Sequence, residues 1–126
     1  MTVVATNEFK LNVGVNPGYH HDNEVLNAVK IVSELWQKHA EELYQVKQVF
    51  IAGMVSLAKT VYRQECGCPL GGEDTVVICG LRNVEFCANE QLWKDCVTEV
   101  SIRVAKELQQ TTAYLTFTIV GFICLN

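Results

Sequence analysis

The residues best placed for chemistry flank a glycine-rich turn. Val61-Tyr62-Arg63-Gln64-Glu65 leads into Cys66-Gly67-Cys68-Pro69-Leu70-Gly71-Gly72, and Glu73-Asp74-Thr75-Val76-Val77 leads out. A tyrosine ending one hairpin arm and a carboxylate starting the other can face each other across such a tip. The plainer alternative is a surface tyrosine and a solvated glutamate beside a loop. Spacing alone leaves both readings open.

Other arrangements carry less. Cys66-x-Cys68 can be combined with His20-His21 into a metal set, but nothing places the histidines near the thiols, and two small residues in a solvent-exposed turn explain the pattern as well. No metal site is expected. A cysteine nucleophile needs a histidine within hydrogen-bonding reach, and of His20, His21 and His39 the last reads as an ordinary helix residue. A phosphate loop, a dinucleotide glycine fingerprint, paired CxxC motifs and HExxH are absent from the sequence, which argues against cofactor-dependent chemistry.

The elements that must hold the tip follow from periodicity. Phe9, Leu11, Val13 and Val15 alternate with Lys10, Asn12, Gly14 and Asn16, the pattern of a half-buried strand ending at Asn16-Pro17-Gly18. Asp22 or Asn23 can cap a helix whose stripe is Val25, Val29, Val32, Trp36 and Leu43, widened by Leu26 and Leu35, running to about Tyr44. Residues 49–63 read as the second strand, and Thr75 to Leu81 as the third, paired with it as a hairpin with a glycine-rich tip. Asn89 caps a second helix with Leu92, Cys96, Val100, Val104 and Leu108 every fourth residue, ending near Gln110. Thr112 to Ile123 closes the chain as a strand.

Strand, helix, strand, strand, helix, strand is the ferredoxin-like plan: an α+β two-layer sandwich, with an antiparallel four-stranded sheet and both helices on one face. Phe50, Ile51, Val77, Phe122 and Ile123 suggest apolar residues on both sheet faces, so the open face calls for a homo-oligomer. At 126 residues and 49% hydrophobic, the chain is expected to form one domain over 1–126. A net charge of −4 disfavours nucleic acid and suits a small neutral or cationic ligand. No apolar run approaches the roughly 18–20 residues needed to span a bilayer, and no basic-then-apolar leader is visible, so a cytoplasmic protein without membrane contact is expected. The six cysteines are expected to be reduced, with Cys79, Cys96 and Cys124 buried in apolar-patterned elements.

The Tyr62-Arg63 pair, Glu73 eleven residues after that tyrosine, and the Thr75-Val76 strand that follows resemble the bacteriophage S-adenosylmethionine lyases, formerly called SAM hydrolases. The likeness extends more loosely from Phe9 to Cys124 and includes Gln109-Gln110 before the last strand, where family members carry Gln and Glu. Gln64 also departs from the pattern, standing where a Glu can follow the Tyr-Arg pair. The resemblance implies a cofactor-independent homotrimer with intersubunit active sites that splits S-adenosylmethionine into 5′-methylthioadenosine and L-homoserine lactone. It implies catalytic roles for Tyr62 and Glu73, and substrate contacts from Gln109, Gln110 and, in the turn after strand 1, Tyr19. The biological setting it implies is depletion of the methyl donor in a bacterial host's cytoplasm, with an anti-restriction effect. The alternative is a non-enzymatic trimeric ferredoxin-like ligand-binding or signalling protein, with the 64–74 tip as its binding loop.

Overall fold

The computed structural model describes residues 2–15, 25–110 and 113–125. Along the chain these form β1 (Thr2–Gly14), α1 (Val25–Lys47), β2 (Met54–Thr60), a single 3-10 turn (Gln64–Cys66), β3 (Glu73–Leu81), α2 (Glu90–Glu107) and β4 (Ala113–Cys124). The strands lie in the order β2-β3-β1-β4, and every neighbouring pair is antiparallel. This is the ferredoxin-like α+β sandwich that the element order implies.

The alternation in β1 does what its pattern requires. Phe9, Leu11 and Val13 are buried on the helix side, joined there by Val76 and Ile78 of β3. From α1 come Ala28, Val32, Trp36, Ala40 and Leu43, and from α2 Trp93, Cys96, Val97, Val100 and Val104. Ala28 and Ala40 are fully buried among them. Full burial of each aromatic or branched side chain contributes about 1.5–3 kcal/mol. Helix α2 starts where the Asn89 side chain accepts the Leu92 N–H at 3.0 Å. It ends three residues earlier than the apolar repeat suggests, at Glu107, because Gln109 turns into the left-handed region (φ 58°). The Gln110 N–H then reaches back to the Ala105 carbonyl at 2.9 Å.

The second strand is shorter than its composition suggests. Residues 49–53 are not in the ladder, although Val49 and Ile51 are buried. The Ile51 carbonyl accepts the indole N–H of Trp36 at 2.9 Å, so it is taken by α1 rather than by a strand. This segment crosses close over the end of β3, where a Cβ on Gly80 would strike the Ala52 carbonyl and come within 2.8 Å of the Phe9 ring.

In an antiparallel sheet, directly opposed residues share a face. Thr60 and Glu73, Ser56 and Val77, Met54 and Cys79, Tyr114 and Asn12, and Phe122 and Val4 are such pairs, and all lie opposite to the helix-facing set. Val77 and Phe122 thus belong to the open face as the sequence suggests, together with Met54, Leu81 and Tyr114. Ile51 does not, being a core residue, and Phe50 packs edge-on against Tyr44 at the end of α1. Ile123 has the helix-side parity, yet it is exposed because β1 and β4 run on past the helices. Cys66, Cys68, Cys79, Cys87 and Cys96 carry free thiols; Cys96 is buried, whereas Cys79 is only half-buried on the open face.

His39 has a larger part than an ordinary helix residue. It is buried where α1 meets α2, with Nε2 hydrogen-bonded to Glu107 and Nδ1 3.1 Å from the Glu42 carboxylate. The hydrogen bond from His39, aided by Lys38 at 3.4 Å, holds the Glu107 carboxyl below its usual range despite partial desolvation. Glu107 is the acid nearest to Gln109-Gln110, and it is engaged between the helices.

A carboxyl lowered on folding stabilises above its ordinary value, and that contribution fades as pH falls through the folded one. Glu107→Gln is therefore expected to lower the melting temperature at neutral pH. The gap from wild type should close below pH 4.5, the group's ordinary value, in paired thermal melts. Gly80→Ala is expected to destabilise by about 3 kcal/mol through overpacking, read as a lower urea midpoint at unchanged slope.

Candidate functional site at the hairpin tip

The site is built by the way β2 gives way to the tip. Thr60 is the last residue of the β2–β3 ladder and lies opposite Glu73, with the Thr60 and Thr75 hydroxyls hydrogen-bonded beside it. Lys59 and Asp74 close the other side of the ladder end at 2.6 Å. Tyr62 comes two residues later, outside the ladder. After it, the 3-10 turn ends on Gly67 in the left-handed region (φ 102°), whose N–H bonds the Gln64 carbonyl at 2.9 Å. Gly71 and Gly72 also have positive φ, and a Cβ on Gly72 would lie 2.9 Å from the Thr60 carbonyl oxygen. Glycine is what allows the chain to re-enter β3 at that spot.

The result is a direct contact. The Tyr62 hydroxyl donates to Glu73 Oε2 at 3.2 Å. Desolvation first, and then the negative charge of Glu73 and its acceptance of the phenolic proton, push the Tyr62 phenol above its ordinary value, with smaller contributions from the Cys68 and Cys66 thiols. Tyr62 therefore stays a neutral donor at physiological pH, while the remaining lone pairs of Glu73 are open to a cation. Both residues are exposed at the edge of the open sheet face. Arg63 pairs with Glu65 at 2.8 Å in full solvent, so its guanidinium is not part of this contact.

Gln109 and Gln110 reach the same end of the sheet by another route. Gly14 is registered with Thr75, and Val13 with Ala113, so the chain leaving α2 enters β4 at the end where Glu73 begins β3. Gln110 is half-buried; its side chain packs over Gly14 and donates to the Leu108 carbonyl at 3.3 Å, while Gln109 is exposed. Gln110 also lines a cavity of about 320 Å³ between α2 and the β1–β4 side of the sheet, floored by Leu11 and Leu115. β3 and β4 lie two strand spacings apart, roughly 10 Å. The glutamines and the Tyr62–Glu73 pair thus share an end of the sheet without forming one contact cluster. Tyr19, His20 and His21 lie outside the described residues.

Sequence reasoning missed Cys68. Read as a turn residue in solvent, it is in fact buried at 5% exposure, and its Sγ accepts the backbone N–H of Tyr62 at 3.4 Å. No pattern around Cys66-Gly67-Cys68 signals this, since the burial arises from the tip folding back on the end of β2. Among the described residues, no group of three or more His, Cys, Asp or Glu side chains is arranged to hold a metal ion, and no helix is long and apolar enough to cross a membrane.

Known proteins place this geometry in context. A comparison with curated protein sequences gives no match. Among solved structures, a phage SAM lyase in complex with S-methyl-5′-thioadenosine superposes with a TM-score of 0.57 at 12% identity, over 94% of this chain and 90% of that one. A phage SAM lyase in its apo state gives a TM-score of 0.59 at 9% identity, over 95% of this chain and 90% of that one. These likenesses establish a shared fold. The sequence itself matches the SAM lyase family over residues 4–126, and by that near-complete match the chain belongs to the SAM lyase family.

Proposed function

We propose that this protein cleaves S-adenosylmethionine to 5′-methylthioadenosine and L-homoserine lactone, using the hairpin tip as the catalytic part of its site. The observation that carries this reading is the hydrogen-bonded Tyr62–Glu73 pair in a chain of the SAM lyase family. In the reaction a substrate carboxylate oxygen bonds to its own γ-carbon, the carbon–sulfur bond breaks, and the electron pair leaves with sulfur as a neutral thioether. The balance requires no water, electron acceptor or cofactor. Nucleophile and leaving group are already in one molecule, so the protein's task is to hold the chain in the attacking geometry.

Glu73 suits the substrate's cationic end, either the α-ammonium or the sulfonium. The Tyr62 ring and hydroxyl suit the orientation of the methionine portion, with a cation–π component where the sulfonium faces the ring. Opposite charges vanish as carboxylate and sulfonium combine, so a drier site favours the transition state over the zwitterion. Alone, the tip is exposed. The apolar open face, with Met54, Val77, Leu81, Tyr114 and Phe122, supports a homotrimer in which a neighbouring subunit covers the site. Gln109 and Gln110, with Tyr19, are proposed to contact the adenine or ribose. The proposed setting is a bacterial host's cytoplasm, where consuming the methyl donor would blunt methylation and restriction.

Purified protein incubated with S-adenosylmethionine should release 5′-methylthioadenosine and homoserine lactone, resolved by chromatography; binding without products would end the lyase reading in favour of a ligand-binding role. Glu73→Gln should lower turnover roughly a hundredfold with the oligomer intact, and wild-type rates in that variant would remove Glu73 from the mechanism. Sedimentation should give three times the 14.1 kDa chain mass. A monomer at micromolar concentration would defeat the shared-site arrangement.

A further inference from the structure

We infer that Cys68 is a positioning residue for the Tyr62–Glu73 pair, its buried thiol standing in for the strand partner that Tyr62 lacks. This rests on the functional reading above. Glu73 is fixed by the ladder, because it lies opposite Thr60. Tyr62 is not, because β2 stops at Thr60. Its backbone N–H bonds to Cys68 Sγ at 3.4 Å, and the same sulfur lies 3.3 Å from the Pro69 carbonyl oxygen and 3.9 Å from that of Thr60. One thiol thereby ties the end of β2 to the turn, accepting from Tyr62 and donating to one of two carbonyls. Sulfur is a weak partner in each contact, but a long, polarisable atom can reach all three where a shorter hydroxyl reaches fewer. At 5% exposure the thiol is itself shielded from water. The 3.2 Å contact between the phenol and Glu73 then depends on a bond made six residues further along the chain.

The test uses Cys68→Val, which fills the space without accepting a hydrogen bond, beside Cys68→Ala and Cys68→Ser. In the valine and alanine variants, kcat should fall about tenfold or more, with KM changing less and the melting temperature not accounting for the loss. Serine should restore a large part of the rate. Should alanine fail to fold, valine decides alone.

An activity-independent readout uses the ultraviolet titration of the Tyr62 phenol, taken in each background as the difference from the matching Tyr62→Phe variant. Glu73→Gln should lower its midpoint in the wild-type background and leave it nearly unmoved in the Cys68→Val background. An equal shift in both backgrounds, or wild-type kcat in Cys68→Val, overturns the assignment. Absence of any lyase activity together with the expected titration result would reject the functional reading alone and leave the positioning role standing.

Discussion

The structure depends on one ring. Phe9 sits on the inner strand β1, between Gly80 of β3 and Phe117 of β4, and stacks on Trp36 of α1 at 5.5 Å with its plane tilted by 13°. It also meets Trp93 of α2 at 6.0 Å, and Trp93 in turn packs edge-on against Phe117 at 5.8 Å. Sheet and both helices therefore converge on a single side chain. That convergence explains why position 80 is glycine. A side chain there would occupy the space of the Phe9 ring and of the Ala52 backbone that crosses above it. Aromatic contacts of this geometry add about 0.5–1.5 kcal/mol each beyond the area they bury.

With the helices seated on one face, the other face is left for different work. Alternation along β3 sends Val76 and Ile78 to the core and Glu73, Thr75, Val77, Cys79 and Leu81 to the open side. The first of these is the carboxylate of the candidate site. A strand that is half core and half open thus carries the catalytic candidate on a rigid element, while its partner Tyr62 stands on a turn. Precision at the site is limited by the turn, which explains the density of constraint there: three glycines with positive φ, a 3-10 turn and a buried thiol within residues 62–72.

The acidic balance of the chain, −4 overall, fits the same picture. Lys59 is paired with Asp74 and Arg63 with Glu65, so the cations at the tip are already engaged by carboxylates. Tyr62 holds one oxygen of Glu73 and leaves negative character facing outward. A cationic ligand is the kind such a surface attracts.

By itself the sequence determined the layer architecture, because Phe9, Leu11 and Val13 repeat every second residue and Val100, Val104 and Leu108 every fourth, and local periodicity is decided by neighbours along the chain. It also determined that Tyr62 and Glu73 flank a glycine tip, since turn chemistry is local as well. It misjudged residues 49–53, where Val49 and Ile51 look like strand residues but the Ile51 carbonyl belongs to Trp36 fifteen residues away. It read Cys68 and His39 as unremarkable, although each is buried by a partner that no spacing announces: the returning tip for Cys68, and Glu107 from the other helix for His39. Only the tertiary structure decided that Glu73 lies on the open face, that the phenol reaches it, and that Gln109-Gln110 arrive at the same end of the sheet. These are relations of register and of layer, and a linear pattern cannot carry them because they depend on how strands pair and on which sheet face the helices cover.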